Sequence, residues 1–161
     1  FSFSKSQRRV LRRNDDLTVS IQPIVIDDET EQLFHLHKQR FNQAIPVSIY
    51  DFLSHDPARV PCKAKEIRVS NGEKTIAVSY FDIGESSTSG IYAMFEPKAV
   101  KRSLGIFTML KEIEYSIANG KEFYYQGYCY VGESFYDYKK RFSGTEAYDW
   151  KGHWNSFTSE G

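Results

Sequence analysis

Polar and apolar residues alternate from Leu17 to Ile26 (LTVSIQPIVI), the period of a half-buried strand. Asp27 and Asp28 then offer helix N-caps, and Leu33, Leu36 and Phe41 keep an imperfect helical spacing through about Asn42. Pro46 ends that helix, and a second short one is expected over Ser48–Ser54. After a loop bracketed by Pro57 and Pro61 come three strands: Lys65–Ser70, Lys74–Ile83 and Ile91–Glu96. The first two close on Asn71-Gly72, a strong hairpin signal, and the last two on the polar turn GESSTSG. Pro97 stops the third strand. Ser103–Ala118 carries the clearest helical period, with Ile106, Leu110, Ile113 and Ile117 on one face and Asn119-Gly120 as its stop. A strand over Glu122–Tyr130, a short helix over Ser134–Phe142 and a last strand in the aromatic segment AYDWKGHW complete the pattern. Near the start, SKSQRRVLRR (residues 4–13) reads as a short helix or basic arm.

A helix between the fourth and fifth strands makes those two parallel, because only a crossover returns the chain in the same direction. The expected architecture is α/β (α+β): a mixed, mainly antiparallel sheet flanked by helices. This order of elements is similar to that of the GNAT N-acetyltransferase fold. The resemblance implies that the fourth and fifth strands splay apart, with the ligand in the gap. One domain is expected over residues 1–161, with a basic arm at 1–14 and a polar tail at 155–161.

Lys plus Arg and Asp plus Glu are both 21, so net charge says nothing about partners. The distribution says more: Lys5, Arg8, Arg9, Arg12 and Arg13 fall in a stretch without an acid, a local field that attracts phosphates. A solvated tail is the alternative. Cys62 and Cys129 have neither CxxC nor metal spacing. No metal and no cofactor are expected, and the histidines, lacking ligand spacing, are assigned to the surface. No apolar run is long enough to span a membrane. No membrane association is expected, and cytoplasm and a monomer are the default assignments.

Candidate chemistry clusters on the later strands. Asp82 and Glu96 flank the GESSTSG turn, and Tyr92, four residues before Glu96, faces the same side of its strand. Each carboxylate can instead pair with a strand arginine or cap a turn. Gln126 lies between Tyr125 and Gly127-Tyr128, and a strand glycine admits close approach or marks a bulge. Ser103, Leu104 and Gly105 open the long helix, where Ser103 can cap the helix or the segment can meet a ligand. Lys139, Lys140 and Arg141 form a basic run that can equally be a solvated face.

Together these segments resemble the arginyl- and leucyl-tRNA–protein transferases. FSFSKSQRR is similar to the start of their catalytic half, and Glu66-Ile67-Arg68 to their E-x-R strand. IYAMFEP resembles V-Y-x-x-Y/F-D-P, SLG resembles S-L/Y-G, FYYQGYCY resembles Y-x-Y-L-G-Y-x-I, and YKKRFSGTE resembles Y-K-x-x-F-x-P-x-E. Glu96 replaces the aspartate of the D-P pair, Gly144 replaces the last motif's proline, and Glu133–Tyr136 stands where Cys-x-Lys-Met is usual. The family's cysteine-rich N-terminal half is not in this sequence, as in a fragment or a standalone variant. The resemblance implies transfer of arginine or leucine from charged tRNA to the α-amine of an acceptor protein or peptide, as in the N-degron pathway. It implies catalytic roles for Glu96, Asp82 and Gln126, and substrate contacts from Tyr92, Ser103, Leu104, Gly105, Tyr125 and Tyr128. The tRNA would meet Lys5, Arg8, Arg9, Arg12, Arg13, Tyr138, Lys139 and Arg141. The rival functions are a coenzyme A-dependent acetyltransferase and a non-catalytic tRNA-binding module of the same fold.

Overall fold

In the computed structural model, residues 1–134 and 136–157 are described. The chain folds as α1 (Lys5–Arg13), β1 (Thr18–Pro23), α2 (Asp28–Lys38), β2 (Ala64–Asn71), β3 (Lys74–Ile83), β4 (Ser87–Phe95), α3 (Leu104–Ala118), β5 (Phe123–Tyr125), β6 (Glu146–Tyr148) and β7 (Trp154–Ser156). One sheet holds five strands in the order β1-β2-β3-β4-β5, and β6-β7 is a separate ribbon. The first four strands pair antiparallel, and β5 lies parallel to β4, as the crossover through α3 requires. Gly72 turns the β2–β3 hairpin at φ +63°, a conformation that suits glycine.

The central strand β3 is buried on both faces. Val78 and Tyr80 pack with Leu33 and Phe34 of α2, while Ala77 and Phe81 pack with Leu104 and Phe107 of α3. Against α3 also lies α1. Ser4 and Gln7 close a capping box at its start, and Lys5, Arg8, Arg9, Arg12 and Arg13 form one stripe at helical spacing. The stretch read as a short helix or basic arm is therefore a docked helix. Arg13 Nη1 donates to the Lys101 carbonyl at 2.7 Å, and Asn14 Nδ2 to the Arg102 carbonyl at 3.0 Å. On the other face, Asp27 caps α2 by accepting from Thr30 N at 2.8 Å.

A charged network fastens α2 to the sheet. Arg68 Nε donates to the fully buried Glu66 at 2.9 Å and Arg68 Nη1 to Asp27 at 2.7 Å. Glu66 also accepts from Gln22 Nε2 at 2.8 Å and from Val25 N at 3.2 Å. Glu29 accepts from both Thr75 N (2.9 Å) and Thr75 Oγ1 (2.6 Å). The E-x-R strand thus ties β1, β2 and α2 together.

Several sequence expectations need correction. The helix over Ser48–Ser54 is a single 3-10 turn at Ile49–Asp51, because Ser48 and Asp51 cap each other within three residues. Strand β4 begins at Ser87, and Gly84 N donating to Ser87 O at 2.8 Å makes the turn tighter than GESSTSG suggested. Strand β5 ends at Tyr125: Gly127 takes φ +77°, and Gln126 Nε2 donates to the Lys139 carbonyl at 3.0 Å, drawing the chain out of the sheet. The helix over Ser134–Phe142 is a 3-10 turn at Asp137–Arg141, with Phe135 outside the described residues. In α3, Ile117 is 55% exposed, so the buried face is rotated from the expected one. His37 is buried, not a surface residue. The polar tail begins inside β7, and its residues 158–161 lie outside the described residues.

Candidate active site

Pairing of β4 with β5 covers only Ser87↔Phe123, Thr88↔Tyr124 and Ser89↔Tyr125; beyond that the strands part. At the same level the β3–β4 register slips. Tyr80 faces Tyr92 and Phe81 faces Gly90, which leaves Ile91 as the extra residue of a bulge. Bulges re-aim strands and are common beside active sites. Glu96 N donates to Ile76 O, so the alternation of antiparallel pairing turns the N–H and C=O of Ala93 and Phe95 toward the open edge. His37 takes the Phe95 position: Phe95 N donates to His37 Nδ1 at 3.1 Å. Burial holds this imidazole neutral by lowering its pKa to about 4. Beside it, the edge at Ala93 faces the gap.

On the α3 side of the bulge lies a buried acid. Glu112 is 3% exposed, and Tyr124 Oη donates to its Oε2 at 2.5 Å. Both sit beneath Gly90, where a Cβ would come within 3.1 Å of Tyr124 Oη and 3.2 Å of Glu112 Oε2. Burial raises the Glu112 pKa to about 7, opposed by Ser79, Tyr124 and Lys139. Among the described residues no cation forms an ion pair with Glu112. Lys139 stands at the lip: its Nζ donates to the Tyr128 carbonyl at 3.2 Å, and burial lowers its pKa. Gln126 binds the backbone through its nitrogen, while its Oε1 is buried with no hydrogen-bond partner.

On the α2 side, a small cavity of about 120 Å³ is lined by Phe52, Leu53, Val60, Pro61, Asp82 and Ile91 among others. Asp82 Oδ1 is buried there without a hydrogen-bond partner. The Cys62 thiol faces this carboxylate, and burial first, then Asp82, pushes the thiol pKa up. Phe52 stacks on Tyr92 with centroids 4.0 Å apart, and the Tyr92 hydroxyl is likewise buried and unpartnered.

The structure separates residues that the sequence grouped. Asp82 pairs with Ser89, whereas Glu96 lies opposite Ile76, so about 20 Å of strand divides them and they share no wall. Glu96 instead accepts from Lys74 Nζ at 2.8 Å. Leu104 is fully buried in the core, out of reach of a substrate. Gly105 makes room for the Phe95 ring, 3.2 Å from where its Cβ would be. Ser103 occupies the N-cap position of α3 in a left-handed conformation (φ +56°) without a side-chain capping bond. Tyr125 and Tyr128 are exposed beyond the lip, Tyr138 packs against Met109, Leu110 and Phe142, and Arg141 is exposed. Sequence reading missed Glu112. The signal was present: Thr108, Glu112 and Ser116 form a polar stripe at four-residue spacing, inside a helix otherwise read by its apolar positions.

A mixed sheet whose last two strands are parallel and then diverge defines the fold class. The structure of L-PGS from Bacillus licheniformis shares it, with a TM-score of 0.57 at 15% identity over 79% of this chain and 43% of that chain. The family described as arginine-tRNA-protein transferase, C terminus, matches residues 28–149, and the chain belongs to that family. An aspartate/glutamate leucyltransferase of Stenotrophomonas maltophilia is 30% identical over 99% of this chain and 66% of its own length. One from Xanthomonas oryzae pv. oryzae is 32% identical over 96% of this chain and 64% of its own length. The chain thus spans about two thirds of the length of the curated relatives it matches.

Proposed function

We propose that the chain is the catalytic part of an aminoacyl-tRNA–protein transferase, with an N-acetyltransferase-like fold. It moves leucine or arginine from charged tRNA to the N-terminal α-amine of a protein. The observation that carries this reading is the opening between β4 and β5 within the segment that matches the family, bordered by a strand edge that no strand among the described residues pairs, with the buried carboxyl groups of Asp82 and Glu112 on either side. The names of the relatives favour leucine as donor and acceptors that begin with Asp or Glu. Because the donor is charged tRNA, we assign the reaction to the cytoplasm.

The chemistry is aminolysis of an ester. The acceptor nitrogen attacks the aminoacyl carbonyl carbon, the N–C bond forms and the bond to the ribose oxygen breaks. One proton leaves the acceptor ammonium, whose ordinary pKa of about 7.7–8.0 keeps it mostly protonated at neutral pH. A second passes from nitrogen to the ribose oxygen. In this reading Asp82 meets the α-ammonium of one substrate from the small cavity, Tyr92 closes that wall, and Gln126 Oε1 accepts from the substrate across the gap. Holding both substrates in place is worth roughly 7–11 kcal/mol. The stripe on α1, together with Lys139 and Arg141, binds tRNA phosphates, and Tyr125 and Tyr128 offer faces to the unpaired 3′ end.

The test is transfer of labelled leucine and of labelled arginine from charged tRNA to peptides with N-terminal Asp, Glu, Lys or Arg. Labelling of the Asp and Glu peptides alone is expected. No transfer to any peptide, together with a thermal shift by acetyl-coenzyme A, would overturn the reading in favour of a coenzyme A enzyme.

A further inference from the structure

We propose that Tyr124, held by the buried Glu112, receives the proton that the acceptor amine sheds. The inference rests on the transfer reaction proposed above. Glu112 is placed by α3 directly under the strand opening, and its surroundings are accounted for element by element. Ser79 faces it from β3, Tyr124 from β5, and Lys139 and Tyr138 from the 3-10 turn, while Thr108 and Ser116 flank it on its own helix. Ser116 is already engaged with Thr88 at 2.5 Å and with the Glu112 carbonyl at 2.7 Å. The Tyr124 hydroxyl is the short bond that ties the carboxyl to β5, at the end of its pairing with β4.

Gly90 supports the same assignment. It lies on the bulged stretch of β4 directly over the pair, and any side chain there would press on both oxygens. With no side chain at Gly90, the Tyr124 hydroxyl lies directly beneath the bulged backbone of β4, next to the point where β4 and β5 part. In the step, an ammonium N–H proton passes to Tyr124 Oη while the Tyr124 proton passes to Glu112 Oε2, so no free phenolate forms. The nitrogen lone pair then attacks the ester carbonyl, and Glu112 later returns its proton to solvent. Tyr124 is the catalytic residue and Glu112 the positioning residue behind it. A carboxyl that titrates near neutral pH suits the task, since it is partly ionised when the amine needs a proton acceptor.

The test compares wild type, Glu112→Gln and Tyr124→Phe in leucine transfer to an Asp-initiated peptide from pH 5.5 to 8.5, with affinity for uncharged tRNA measured in parallel. Both variants are expected to keep tRNA affinity and lose at least ~10²-fold in kcat. The wild-type rate should rise through a midpoint near the Glu112 value of about 7, and that limb should vanish in Glu112→Gln. A Glu112→Gln protein with the wild-type rate and limb overturns the inference and leaves the transfer reaction standing. If Glu112→Gln does not fold, Tyr124→Phe decides: a normal rate overturns the inference. A wild type that transfers nothing overturns the reaction itself, and this inference with it.

Discussion

Two glutamates among the described residues are almost entirely buried, and they are treated in opposite ways. Glu66 accepts from Arg68, Gln22 and the Val25 amide, and its guanidinium partner goes on to Asp27 and the Thr30 hydroxyl. Burial raises its pKa, while the Val25 amide, Arg68 and Gln22 all pull the other way. Glu112 accepts a short bond from a phenol, faces Ser79, has no ion pair among the described residues, and burial takes its pKa to about 7. A saturated buried charge fixes geometry, because any proton change would break several bonds. A buried carboxyl without a paired cation is held protonated to higher pH. The E-x-R strand of the family-like motifs is therefore fold, and the helix read as amphipathic holds the acid whose pKa burial brings to about 7.

The largest effect expected is at the saturated site. Arg68→Ala leaves Glu66 buried without its cation and should lower stability by roughly 3–5 kcal/mol. A urea midpoint at pH 7 close to wild type would show that the network is not what holds α2 to the sheet.

Next in size is the pH dependence of stability at the other site. Glu112 binds its proton more tightly in the folded chain, since its pKa goes from the ordinary 4.5 to about 7. Its stabilising share is thus present below about pH 4.5 and is lost as pH rises to about 7, in all by roughly 3 kcal/mol. Glu112→Gln should remove that loss, so the variant should gain on wild type between pH 5 and 8 while transferring poorly. Parallel stability curves for the two proteins would mean that Glu112 is not held protonated by burial.

A smaller effect belongs to the surface. Arg8 and Arg13 each use one guanidinium nitrogen on a backbone carbonyl, Phe3 O and Lys101 O, so Arg9 and Arg12 should carry most of the phosphate contact. Changing Arg9 and Arg12 to Ala should weaken tRNA binding on the order of tenfold for all tRNAs alike, with a shallower salt dependence. Unchanged affinity and slope would leave α1 as a helix that only packs. The smallest effect is expected at Glu96, whose ion pair is with a Lys74 that is 62% exposed. Glu96→Gln should cost under ~1 kcal/mol and leave the transfer rate unchanged. A 10²-fold loss of rate would restore Glu96 to the reacting centre.

Much of this was legible in the chain itself. The alternation over Leu17–Ile26, the Asn71-Gly72 turn and the period of α3 set the strands and the long helix, because side-chain spacing has to match backbone period. The helix between β4 and β5 required their parallel pairing. Where strands end was less legible: β5 stops at Tyr125 because Gln126 finds partners near residues 139 and 145, which no local pattern records. The candidate site depended on the tertiary structure in the same way. Asp82 and Glu96 look like neighbours across a turn, yet antiparallel pairing carries them to opposite ends of the hairpin. Glu112 looks like one polar residue on a helix, and only the packing of α3 beneath Gly90, with Tyr124 brought in from β5, makes it a buried acid. Periodicity is local, so sequence determined the elements; burial and proximity arise between distant segments, so only the folded chain decided which acids face the opening.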